Sequence, residues 1–314
     1  MITYYKTING HMEKLSNYEK DCWVNCIEPT EYEMDILIEQ LNVEPEILRA
    51  ALDEEESSHI DTEDDNMLLI MDIPVVQRQE KNLSYITLPL AFIITHDNII
   101  TVSIHDNPII AEFEEGVVKY VSTFFKTQFI LKVMERATAK YLQYLKQIDR
   151  IIHRVDQEFR KSMRNKQLLQ LLEIEKSLVY FSASLKSNDT TMQKIKRGRL
   201  VKMYDDDREL LEDILIEMKQ AIDMSAIHLN ILSSSMETFS SIISNNLNIV
   251  MKTLTSVTLI MSIPTIISGF YGMNNIETGA ANWGAITGLW WFPFALSGVL
   301  MVIAWYILKK LDML

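Results

Sequence analysis

The sequence predicts an α+β chain in three stretches: a mixed α/β domain over residues 1–110, a helical stalk over 111–252, and two membrane helices over 253–314. Three observations predict it. Strand-length apolar runs alternate with short helical patterns as far as Pro108. No proline then occurs until Pro264, so almost nothing in that interval forbids helix. Finally, 253–276 and 278–308 carry no charged residue, although the chain up to Glu237 is rich in charge throughout.

Composition narrows the function. The 314 residues include 43 Asp and Glu against 30 Lys and Arg, a net charge of −13. Such a chain repels nucleic acid and attracts cations. The 9 Gly and 7 Pro are too few for a turn-rich sandwich or barrel. Cys22 and Cys26 cannot supply a disulfide framework, and with no second Cys pair or nearby His pair they make a poor zinc site; reduced thiols are expected. The six His are scattered, and neither HExxH nor a Walker A sequence occurs, so no enzyme is indicated.

The N-terminus has no apolar leader of the secretory kind. Residues 22–27 read as a strand. Thr30 with Glu33 forms a capping box that opens a helix to about Leu41. Pro45 starts a second helix, 46–52. Residues 53–65 read as a solvated acidic loop. Residues 67–73, 84–95 and 99–104 read as strands, with Pro89 marking an edge or a bulge in the second. The polar stretch 186–189 suggests a break between two long helices. Beyond it, Leu211, Leu215, Met218, Ile222, Ser225, Leu229, Leu232, Met236, Phe239 and Ile243 follow alternating spacings of four and three. That seam fits a hairpin within the chain or a stalk packed against copies of itself.

The helix runs without a breaker into the apolar segment. A helix over 210–271 would be roughly 90 Å long, against about 30 Å of hydrocarbon core. The first membrane helix, about 253–271, carries seven Ser and Thr hydroxyls, suited to a bundle interior or a water-filled path. The second, about 290–308, is more uniformly apolar and opens on Trp290 and Trp291. Lys252 precedes the first, Lys309 and Lys310 follow the second, and the outer loop 272–289 has neither Lys nor Arg. Positive charge kept inside puts both termini in the cytoplasm of a multi-pass protein of the cell (inner or plasma) membrane.

The first membrane helix ends in Gly269-Phe270-Tyr271-Gly272-Met273-Asn274. By spacing alone Gly272 and Asn274 make a turn after a helix. In context the Gly-Met-Asn resembles the motif of the CorA-type divalent-cation channel family, which follows the first of two C-terminal membrane helices. Residues 248–255 and 262–265 also resemble family members, as do 23–30 and 211–217 more weakly. The resemblance implies a homopentamer whose cytoplasmic domains form a funnel, with five long helices lining a pore for Mg²⁺, the substrate and also the regulatory ligand. No other cofactor is implied.

Carried onto this sequence, Gly272, Met273 and Asn274 form the outer selectivity loop. Asn248, Met251, Leu254, Thr255, Thr258, Ser262, Thr265 and Gly269 face the pore, with the register between Thr258 and Thr265 open by one position. Met251 and Leu254 are candidates for a hydrophobic constriction. Asp213 occupies the place of a regulatory carboxylate, with Glu217 and Asp223 near it and Glu80 as a candidate partner from the α/β domain. Glu277 is the sole charge in the outer loop. The expected function is passive, potential-driven uptake of Mg²⁺, with Co²⁺ and Ni²⁺ as further candidates. The alternatives are a Zn²⁺-specialised relative and a membrane-anchored coiled-coil sensor or tether.

Overall fold

The computed structural model describes residues 1–63, 66–79, 82–162, 165–198, 203–273 and 291–311. They fall into two compact units, Met1–Ser235 and Met236–Leu314. The first holds a seven-stranded sheet: β1 (Ile2–Ile8), β2 (His11–Leu15), β3 (Trp23–Ile27), β4 (His59–Glu63), β5 (Asn66–Gln79), β6 (Asn82–Ile94) and β7 (Ile99–Ser103). Its order is β2-β1-β3-β7-β6-β5-β4, antiparallel except between β3 and β7. The parallel pair exists because α1 (Glu31–Glu39), α2 (Pro45–Ala51) and β4 to β6 all lie between its strands in sequence.

Both faces of the sheet are buried. Cys22, Val24 and Cys26 alternate onto one face, in a core with Leu37, Ile47 and Leu48. Trp23 alternates onto the other, its ring 5.0 Å from those of Tyr5 and Phe129. There Trp23 Nε1 donates to Thr101 Oγ1 at 2.8 Å, Thr101 donates to Asn25, and Asn25 and Tyr5 both donate to Glu114. The covering helices on this side include α3 (Pro108–Glu114) and α4 (Lys126–Ser162). Both thiols are free and buried, and burial pushes Cys26 up to about 12.

The predicted strands are all present, and the capping box at Thr30 is formed as expected. Three strands went unread. β1 and β2 are joined by Asn9-Gly10, both at positive φ, the turn chemistry of a two-residue hairpin. The acidic loop expected at 53–65 contains β4, whose Asp61 puts charge on an edge strand.

The break expected at 186–189 is not there. α5 runs unbroken from Asn165 to Arg197. Ser184, Ser187, Asn188 and Thr191 lie three and four apart, on one helical face, and all four bond the sheet or its flank. Asn188 is fully buried, accepts from the Asp72 N–H at 2.9 Å, and donates to its carbonyl at 2.7 Å. A strand residue points its N–H and C=O to the same side, so Asp72 faces the edge that β4 leaves open. Pro89, opposite Asp72, therefore costs no bond to β5, and it lies outside the Ala91–Ile94 stretch that pairs with β7. The polar residues read as a helix break are a side-chain substitute for a missing strand.

α6 runs from Asp205 to Met273, 69 residues, and crosses the boundary between the two units. It opens with three Asp in its first turn, where the helix dipole favours acids, and Asp207 accepts from the Tyr204 N–H at 2.9 Å. Leu211, Leu215, Met218, Ser225 and Leu232 of the seam are buried, Ile222 and Leu229 partly so. In the first unit this seam packs within the chain: Ser225 Oγ donates to the Leu178 carbonyl of α5, and Glu212 pairs with Lys196 at 2.9 Å. Phe239 is buried, whereas Ile243 is exposed. The last helix, α7, runs Phe292–Lys310 with Pro293 in its first turn.

Candidate functional site

The second unit contains the C-terminal part of α6 and all of α7. These helices are long and apolar enough to cross a membrane. Burial in each falls mainly on one side. On α6 it falls on Ser256, Ile260, Ile263, Pro264 and Ile267, with Ser262 partly covered besides; on α7 on Ser297, Met301, Ala304 and Leu308, spaced four, three and four, with Phe292, Pro293 and Gly298 partly covered besides.

The predicted pore residues lie on the other side of α6. At about 100° per residue, Asn248, Met251, Leu254, Thr255, Thr258, Ser262, Thr265 and Gly269 fall within an arc of roughly 120° centred on Met251. The covered face is centred on the opposite side. Every stripe residue except the half-buried Ser262 is exposed, Met251 at 52% and Leu254 at 59%. A side chain at Gly269 would meet nothing within 4 Å. The stripe carries no charge, and Lys252 projects about 100° away from its centre.

The seven hydroxyls of the first span divide. Thr255, Thr258, Ser262 and Thr265 are on the stripe; Thr253, Ser256 and Ser268 are not. Thr258 Oγ1 donates to the Leu254 carbonyl and Ser262 Oγ to that of Leu259, each at 2.8 Å. With the proton committed to the helix backbone, the oxygen's free lone pairs point outward as acceptors. A row of uncharged acceptor oxygens suits a hydrated hard cation.

Gly272 and Met273 lie in the last turn of α6. Asn274, Glu277 and Glu80 lie outside the described residues. Asp213, Glu217 and Asp223 are on the exposed side of α6, away from the seam. Among the described residues, no three His, Cys, Asp or Glu side chains are placed to hold a metal ion within one chain. At the far end, Lys309 and Lys310 close the last turn of α7, where the dipole favours cations, and Lys309 Nζ sits 5.0 Å from the Trp305 ring centre.

Comparison with known proteins matches residues 18–310 to the family described as CorA-like Mg²⁺ transporter protein. The chain belongs to the CorA family. It is accordingly a divalent-cation transporter with two candidate membrane helices. The cobalt/magnesium transport protein CorA of Methanocaldococcus jannaschii is 28% identical over 298 residues, 92% of this chain and 90% of that protein. The complete structure of the CorA magnesium transporter from the same organism aligns at a TM-score of 0.80 and 24% identity, covering 99% of this chain and 98% of that one. The full-length CmaX protein aligns at 0.69 and 12% identity, over 99% and 97%. The CorA fold therefore spans both units, from the α/β sheet to the second apolar helix.

Proposed function

We propose that the chain moves Mg²⁺ passively into the cell, and with it Co²⁺ and Ni²⁺, through a pore built from five copies and closed by cytoplasmic Mg²⁺. The observation that carries this reading is the uncharged, hydroxyl-bearing stripe of α6, which leads into Gly272-Met273-Asn274. Five copies facing one axis would surround a path with acceptor oxygens and no fixed charge. Mg²⁺ gives up water reluctantly and prefers octahedral oxygen ligands. A ring of Asn274 amides and loop carbonyls would hold its hydration shell rather than strip it. A divalent ion gains about 4.6 kcal/mol per 100 mV of inside-negative potential, so no nucleotide is needed. Both termini lie in the cytoplasm in this reading. Mg²⁺ bound by Asp213, Glu217 and Asp223 between protomers would hold the acidic soluble units together and the pore shut.

The test is Mg²⁺ influx into proteoliposomes under an inside-negative potential, for the native chain and Asn274→Ala, with Co²⁺, Ni²⁺ and Zn²⁺ as competitors. Native influx that the substitution abolishes supports the reading. Transport of Zn²⁺ in preference to Mg²⁺ replaces it with a zinc-specialised one. No Mg²⁺ influx from correctly inserted protein at low internal Mg²⁺ overturns it in favour of transport of another divalent cation.

A further inference from the structure

His228 belongs to the buried side of α6 and is not used by the ion path. It is 8% exposed, and neither ring nitrogen has a hydrogen-bond partner among the described residues. It faces Asp149 of α4, with Oδ1 3.6 Å from Nδ1. That same oxygen is 3.7 Å from Nε2 of His153, one turn further along α4. Asp149 and His153 are the charged or titratable groups that act on His228, both from α4. On the α5 side, one turn away, the contact is the neutral bond from Ser225 to the Leu178 carbonyl.

We propose that His228 is a proton-operated release for α6. Neutral, the ring stays packed against α4; protonated, it leaves for water, and the α4–α6 contact opens over this turn. The neutral ring is already held without a hydrogen bond, so little beyond packing retains it. A buried cation is costlier still unless it is paired and hydrogen-bonded. The carboxylate that would pair with it is itself 40% exposed and shared with His153. Burial is the largest influence on His228 and lowers its pKa below the ordinary 6.5; Asp149 opposes this, and His153 adds to it. The packed state thus binds the proton less tightly than the hydrated ring does. Its stability is lost as pH falls from 6.5 toward the lower packed value. The released segment is part of the helix that continues into the apolar span, so the inference concerns acid regulation of that helix. It stands independently of which ion is carried.

The experiment is amide hydrogen exchange of the full chain in detergent micelles between pH 7.5 and 5.0, corrected for intrinsic exchange rates. Protection over 146–156 and 221–232 is expected to fall on acidification, by at most about tenfold per pH unit, the ceiling for one proton. Protection of β6 and β7 should stay constant. His228→Gln should flatten the profile. Asp149→Asn should leave the onset near 6.5 but deepen the fall and extend it to lower pH, because it lowers the packed value without touching the hydrated one. A flat native profile, an unchanged profile in His228→Gln, or a fall in Asp149→Asn smaller than the native one overturns the proposal. If His228→Gln fails to fold, the native profile and the size of the Asp149→Asn fall relative to it decide it.

Discussion

Replacing Asn188 with Ala removes one side chain that closes the open edge of β5. The native amide accepts from the Asp72 N–H and donates to its carbonyl, at 2.9 and 2.7 Å. After truncation the carbonyl keeps the Tyr141 hydroxyl at 3.1 Å, but the N–H is left without its side-chain acceptor. An orphaned donor costs about 1–3 kcal/mol, and losing one of two bonds at the carbonyl about 0.5–1.5 more. The sum is roughly 2–4 kcal/mol. For a unit of this size, about 2–4 °C of Tm accompanies each kcal/mol, so the midpoint should drop by roughly 5–15 °C. Thermal unfolding of the full chain, followed by far-ultraviolet circular dichroism, measures it. Lys186→Ala, exposed and two residues earlier, serves as the control and should stay within about 0.5 kcal/mol. A drop below about 1 °C for Asn188→Ala would refute the view that this amide stands in for a strand.

Two further outcomes follow from the sheet domain. Glu33 is held down to about 2, first by its backbone bond at Thr30 and then by the N-terminal ammonium, the Thr30 hydroxyl and the Ile2 N–H. Its folded value lies below its ordinary 4.5, so its contribution is present above 4.5 and lost as pH falls toward 2; Glu33→Gln should flatten the acid limb of stability against pH over that window. Cys22 and Cys26 are fully buried, and burial raises both thiols, so a maleimide at pH 7 should leave the folded chain unlabelled and modify both in denaturant. Rapid labelling of the folded chain would contradict the core described for β3.

The parts of the fold that were legible in the sequence are those where one periodicity dominates. The α6 seam repeats over four heptads and is buried or partly buried, as the spacing requires, down to Phe239. The apolar runs of β5, β6 and β7 are covered on both faces and could be read without their partners. β1, β2 and β4 were not legible because they are peripheral strands of mixed polarity. Asn9-Gly10 was the available signal for the first two. The stretch 186–189 misled for a physical reason: polar residues normally mark solvent or a break, yet here Ser187 and Asn188 answer backbone at a sheet edge and its flank. For the candidate site, the stripe from Asn248 to Gly269 came from a family resemblance, and helix geometry then placed it opposite the covered face. The His228–Asp149 juxtaposition had no sequence signal, because its members are 79 positions apart in the chain.

The Asn188 clasp also has a consequence for synthesis. The residue that closes the edge at Asp72 is made 116 residues after it. At about 5–20 residues per second, a nascent chain exposes that edge for roughly 6 to 23 seconds before its cover exists. An unpaired edge is a template for other chains. During this interval Asp61 of β4 and the prolines at 74 and 89 are already in place. They discourage the newborn hairpin from pairing with strangers until α5 arrives.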